Sequence, residues 1–82
     1  MKLGDIVILR HDRVSAQLLS ETMENNTNVK SVVFGRENDF MVFRKGDVAT
    51  VVEINQKNKA RAKILYDSRM WWGNISDLLV IE

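Results

Sequence analysis

The sequence predicts a mainly β domain: a five-stranded small barrel, with one helix and one β-hairpin inserted between the first two barrel strands. Three observations carry this expectation. From Phe43 to Glu82, short apolar runs are separated by polar turns, the first turn being Lys45-Gly46-Asp47. A separate β-branched run, Ile6-Val7-Ile8-Leu9, stands near the start, and Val80-Ile81 closes the chain. Runs of this length and composition, bounded by Gly, Asn, Asp and Ser, are strand signals at the spacing of a small barrel. A chain of 82 residues holds a single core. The expected domain is therefore residues 1–82, with the insertion at about residues 11–42.

The elements follow in order. Ile6 to Leu9 is the first strand, with Val7 and Leu9 on one face and Ile6 and Ile8 on the other, so both faces need cover. Residues 13–26 are the one helical candidate, with a loop as the alternative. Asp12 is placed to cap the helix, and Val14, Leu18, Leu19 and Met23 fall on one broad apolar face. Its expected task is to cover Ile6 and Ile8. Asn25-Asn26-Thr27-Asn28 ends it. Residues 29–34 and 40–43 then read as a hairpin about a turn at 35–39.

Past the Lys45-Gly46-Asp47 turn, residues 48–54 alternate, with Val48, Thr50, Val52 and Ile54 opposite Ala49, Val51 and Glu53. Residues 60–66 do the same, with Ala62, Ile64 and Tyr66 opposite Arg61, Lys63 and Leu65. Asp67-Ser68-Arg69 turns into a strand over 70–75. Residues 76–79 form one helical turn, and 80–82 form the closing strand.

Composition excludes several functions. A hydrophobic content of 45% with 28% charged residues suits a folded soluble chain. Twelve basic against eleven acidic residues leave a net charge of +1, so no global field draws the chain to nucleic acid or membrane. The absence of cysteine removes disulfides, thiolate zinc sites, iron–sulfur clusters and cysteine nucleophiles. It also favours a cytoplasmic location, since small secreted domains are commonly stapled. The run Ile6–Leu9 is too short for a signal-peptide core or a membrane span.

The order of strand, long excursion, three meandering strands, helical turn and closing strand resembles the SH3-like barrel superfamily. Gly4-Asp5-Ile6-Val7-Ile8-Leu9 looks like its opening strand, Phe43-Arg44-Lys45-Gly46-Asp47-Val48 like its diverging turn, and Ser76 to Ile81 like its one-turn helix and last strand. The resemblance covers residues 3–10 and 43–82. It implies architecture and does not imply proline-rich peptide binding. Leu78 and Leu79 stand where SH3 domains have Asn-Tyr, the chain has no proline, and no Ala-Leu-Tyr-Asp-Tyr opening occurs. Leu65-Tyr66-Asp67 echoes that opening in the wrong strand, and Trp71-Trp72 lies one strand later than the SH3 tryptophan pair. The chain is also similar to small bacterial SH3-like barrels of unassigned function. A fainter similarity is to the barrel accessory subunits of photosystem and ferredoxin–thioredoxin reductase complexes, which dock partners without doing chemistry.

Candidate binding residues fall into two groups. Trp71 and Trp72, adjacent in a strand, point to opposite faces, so one enters the core and the other is free for a partner unless the insertion covers it. Ile6 and Ile8, one of the tryptophans, Val33, and Phe40 or Phe43 together exceed the apolar area one small barrel hides. This predicts a protein partner, with a homodimer as the form self-association takes. In the second group, Lys57, Lys59, Arg61 and Lys63 recur at every second residue, with Arg69 and a tryptophan near. A cationic row beside an aromatic is the footprint of single-stranded nucleic acid binding. The competing explanation is a solvated hairpin face, and the net charge of +1 favours it. His11 has no Ser or Cys partner in register, Glu37, Asp39 and Asp47 lack calcium-loop spacing, and no phosphate-binding glycine motif occurs. The expectation is a protein-binding or accessory module, not an enzyme, with no cofactor or metal. Nucleic-acid binding is the alternative.

Overall fold

The computed structural model describes residues 1–25 and 39–81, Asn25 by its backbone alone. The chain is mainly β, as predicted. In order come β1 (Ile6–Leu9), β2 (Ser15–Leu19), α1 (Glu21–Asn25), β3 (Phe40–Arg44), β4 (Val48–Ile54), β5 (Arg61–Tyr66), β6 (Arg69–Asn74), a 3-10 turn (Ile75–Asp77) and β7 (Leu78–Ile81). The seven strands form one antiparallel sheet in the order β3-β2-β6-β5-β4-β1-β7. Among the described residues the sheet is open, with β3 and β7 as its end strands.

Residues directly opposite in antiparallel strands share a face. On the inner face Val7, Leu9, Leu18, Phe43, Ala49, Val51, Ile64, Trp71 and Leu78 form one buried cluster to which every strand contributes. A flat sheet could not bring its two end strands into one cluster, so this one curls around its core.

The turns follow from local chemistry. At Arg44–Asp47 the Asp47 amide donates to the Arg44 carbonyl at 3.0 Å, and the Asp47 carboxylate accepts from the Arg44 amide at 2.9 Å. Gly46 sits at φ 98°, where a side chain would be strained. Asp67 and Ser68 both have positive φ, 53° and 63°, the geometry of a two-residue hairpin turn that matches strand twist.

The insertion departs from prediction. The expected helix over 13–26 is strand in its first part: Ser15–Leu19 pairs with Phe40–Arg44, from Ser15↔Arg44 to Leu19↔Phe40. The apolar spacing of Val14, Leu18, Leu19 and Met23 fits a helix, but Leu18 alternates inward and Leu19 outward, and β3 supplies a ladder that a lone short helix lacks. Val14 is exposed and covers nothing. Among the described residues the helix is Glu21–Asn25, and its cap is Ser20, not Asp12. The Met23 amide donates to Ser20 Oγ at 3.3 Å and the Glu24 amide to the Ser20 carbonyl at 2.9 Å. Phe40–Arg44 pairs with β2, and the other strand expected of its hairpin, residues 29–34 with the turn at 35–38, lies outside the described residues.

Two smaller shifts occur. A bulge between Val51 and Glu53 resets β4, so Ile54 joins Val51 against the core while Glu53 faces out. The single alternation predicted over 48–54 therefore holds only to Val51. The last elements begin earlier than expected, at Arg69, Ile75 and Leu78.

Candidate functional site

The outer face of the sheet carries an unusual run of apolar side chains. The pairings Ile81↔Ile6, Ile6↔Thr50, Thr50↔Leu65 and Leu65↔Met70 set one continuous row across β7, β1, β4, β5 and β6. Its apolar members are open to solvent: Ile6 is 37% exposed, Ile81 38%, Leu65 45% and Met70 55%. A second row, Leu79↔Ile8↔Val48, lies beside it. Ile8 and Leu79 are half-buried and Val48 is exposed. The insertion was expected to cover Ile6 and Ile8, but α1 packs on β6 and β2, at the far side of the sheet. Single exposed apolar residues are ordinary on a protein surface, whereas a contiguous patch marks an interaction face.

The tryptophan pair divides as strand geometry requires, but neither residue is free. Trp71 is fully buried in the inner core, and its Nε1 donates to the Tyr66 carbonyl at 3.1 Å. The Arg69 guanidinium lies over its ring, 4.5 Å from the centroid. Trp72 points to the outer face and is only 4% exposed. Of the two alternatives, a free second tryptophan or one covered by the insertion, the second holds: α1 packs over β6, and Met23 is buried on that helix. The Lys63 ammonium sits 5.4 Å from the centre of the Trp72 ring. Trp72 Nε1 is buried, with no hydrogen-bond partner among the described residues.

The predicted cation row assembles only in part. Lys57 and Lys59 are exposed in the turn before β5, where Asn55 Oδ1 accepts from the amides of Lys57 and Asn58. Arg61 and Lys63 share the outer face of β5, and acidic residues already occupy both. Arg61 donates through Nε to Glu24 Oε2 at 2.9 Å and through a terminal nitrogen to Glu24 Oε1 at 2.5 Å, a fork-to-fork pair. Arg61 also reaches Asn74 Oδ1 at 2.8 Å. Lys63 lies 3.3 Å from Glu21 and 3.8 Å from Glu53. Arg69 is drawn to Trp71 instead of joining the row.

Phe40 is half-buried and lines a shallow groove with Gln17, Met41, Val42 and Arg44, while Phe43 is fully buried, its ring meeting Tyr66 edge-on at 5.1 Å. Val33 lies outside the described residues. Tyr66 Oη donates to Asp47 Oδ2 at 2.6 Å, bracing the Lys-Gly-Asp turn against β5. That bond holds the Asp47 carboxyl below its ordinary range, helped by the Arg44 amide, and pushes the Tyr66 phenol up to about 12. His11 lines a cleft with Arg10, Asp12, Leu78 and Leu79 and no hydroxyl or thiol side chain. Among the described residues, no group of three His, Asp or Glu could hold a metal, and no helix is long and apolar enough to cross a membrane.

Sequence reasoning missed Glu21 and Glu24, which decide the state of the cations. Their i, i+3 spacing was visible, but their partners lie in β5, far along the chain. It also missed Leu65, Met70 and Ile81 as members of one row, because a row needs cross-strand register as well as alternation. Comparison with protein-family models, curated proteins and solved structures finds no match to this chain.

Proposed function

We propose that this chain is a non-catalytic protein-interaction module on an SH3-like barrel, and that it self-associates through its outer face. The barrel reading is supported by the order β6-β5-β4-β1-β7, by the 3-10 turn directly before β7, and by a β2–β3 hairpin inserted between β1 and β4. The row Ile81–Ile6–Thr50–Leu65–Met70 carries the functional reading. It is exposed, spans five strands and continues into Ile8, Leu79 and Val48. Apolar surface of this kind gains by leaving water against a second such surface. A second copy presents the same row and a two-fold arrangement satisfies both at once. Ion pairing of Arg61 and Lys63 within the chain weighs against the nucleic-acid alternative.

Sedimentation equilibrium at micromolar concentration tests the proposal. The wild type should sediment above its 9.5 kDa monomer mass, and Leu65→Lys, at an exposed position, should return it to monomer with an unchanged circular dichroism spectrum. A wild type that stays monomeric across that range overturns self-association.

A further inference from the structure

We infer that Arg61, Lys63 and Trp72 form a docking site for an acidic protein segment, and that α1 fills this site in cis. The observations are independent of the exposed row and go beyond the reading built on it. Helix α1 presents Glu21 and Glu24 one turn apart, with Met23 between them and no basic residue in its last turn. Glu24 engages the Arg61 guanidinium at two points, 2.9 and 2.5 Å, and Glu21 lies 3.3 Å from Lys63. The Arg61 and Glu24 side chains are only 13% and 10% exposed, so the pair is shielded as a ligand contact would be.

Trp72 and Met23 are buried but stand outside the inner core cluster. Lifting α1 therefore uncovers Trp72 without opening the core. A helix of five residues has no stability of its own. Its Ser20 cap and the same side-chain contacts that a ligand would compete for hold it in place. Among the described residues the buried Trp72 Nε1 has no acceptor when α1 is in place, so the α1 side chains leave one donor of the site unmet. A segment in trans with two carboxylates about a helical turn apart, an apolar side chain between them and an acceptor for the indole satisfies all three residues. This is the chemistry of an acidic amphipathic segment.

A fluorescein-labelled peptide of residues 18–25, LLSETMEN, titrated into the full chain at low salt and read by anisotropy, tests this. Weakening the cis competitor raises the fraction of open sites, so E21Q/E24Q should bind the peptide about tenfold more tightly than wild type. Adding R61Q to that variant should abolish the gain, and a peptide with both glutamates changed to glutamine should not bind. Where E21Q/E24Q does not fold by circular dichroism, E21Q alone serves, because Lys63 keeps Glu53 as a partner, and an affinity gain of about threefold is expected. The proposal is overturned if the folded variant binds no more tightly than wild type, or if the glutamine peptide binds equally well. Binding of a labelled oligothymidylate in place of the peptide also overturns it, in favour of a phosphate site. Because the peptide and Leu65→Lys address different residues, failure here and failure of self-association are separate results.

Discussion

Trp71 and Trp72 are neighbours in one strand, yet the two regions they anchor are built differently. Trp71 belongs to the inner core, with a hydrogen-bonded indole and contributions from all seven strands around it. Trp72 belongs to an outer cap of one short helix, two ion pairs and an indole donor with no partner among the described residues. The core region is closed by apolar packing, which cannot be exchanged piece by piece. The cap joins the buried Met23 and Trp72 to ion pairs, and another charged group can replace the ion pairs. The difference locates rigidity on one face of β6 and exchangeable contacts on the other.

The largest expected break in this comparison is Trp71→Ala. Truncating a fully buried tryptophan costs about 3–5 kcal/mol, a large share of the roughly 5–15 kcal/mol that holds a small domain folded. Urea denaturation should show the midpoint collapse. Glu24→Gln should come next, at about 1–3 kcal/mol, because it leaves a shielded Arg61 without its carboxylate. Gly73→Ala probes where the two regions meet. A Cβ there would stand 2.8 Å from Leu18 Cδ2, and because Leu18 is buried, the strain should cost about 1–3 kcal/mol in the same assay.

The pair Trp71→Phe and Trp72→Phe sharpens the comparison further. The first change removes a donor that bonds the Tyr66 carbonyl, whereas the second removes a donor that has no partner among the described residues. Trp71→Phe should therefore be the more destabilising by about 1–2 kcal/mol.

Tyr66→Phe is the smallest, about 1 kcal/mol for the bond to Asp47, and its pH dependence identifies it. Tyr66 is raised from 10.0 to about 12 in the fold, so its contribution is complete below about pH 10 and is lost as pH rises through 12. Asp47 is lowered from 3.8, so its contribution is present above that pH and is lost as pH falls through the lower folded value. The difference in melting temperature between wild type and Tyr66→Phe should be widest near neutral pH and shrink toward both ends.

Much of the second half was legible in the sequence. Ala62 and Ile64 alternate with Arg61 and Lys63, and they are buried as that alternation requires. The turns at Gly46 and at Asp67-Ser68 contain residues suited to positive φ, and positive φ is found there. The insertion was legible only in part: the strand at Phe40 and a short helix at Glu21–Asn25 fall where they were expected, but the strand at Ser15–Leu19 does not. Val14, Leu18, Leu19 and Met23 satisfy a helical period, and only the ladder from β3 makes Ser15–Leu19 a strand. The row Ile81–Ile6–Thr50–Leu65–Met70 was half legible: alternation turns each residue outward, but only register lines them up.

By itself, then, the sequence determined that the chain is mainly β, where its later strands turn, and that Trp71 and Trp72 face opposite ways. These depend on local backbone preference and a two-residue period, which neighbouring residues carry between them. The tertiary structure decided that both tryptophans are covered, that Arg61 and Lys63 are paired with α1, and that the exposed face is the apolar row. Those outcomes depend on contacts between residues far apart in the chain, and a strand's own pattern does not say which of its two faces a distant element will cover.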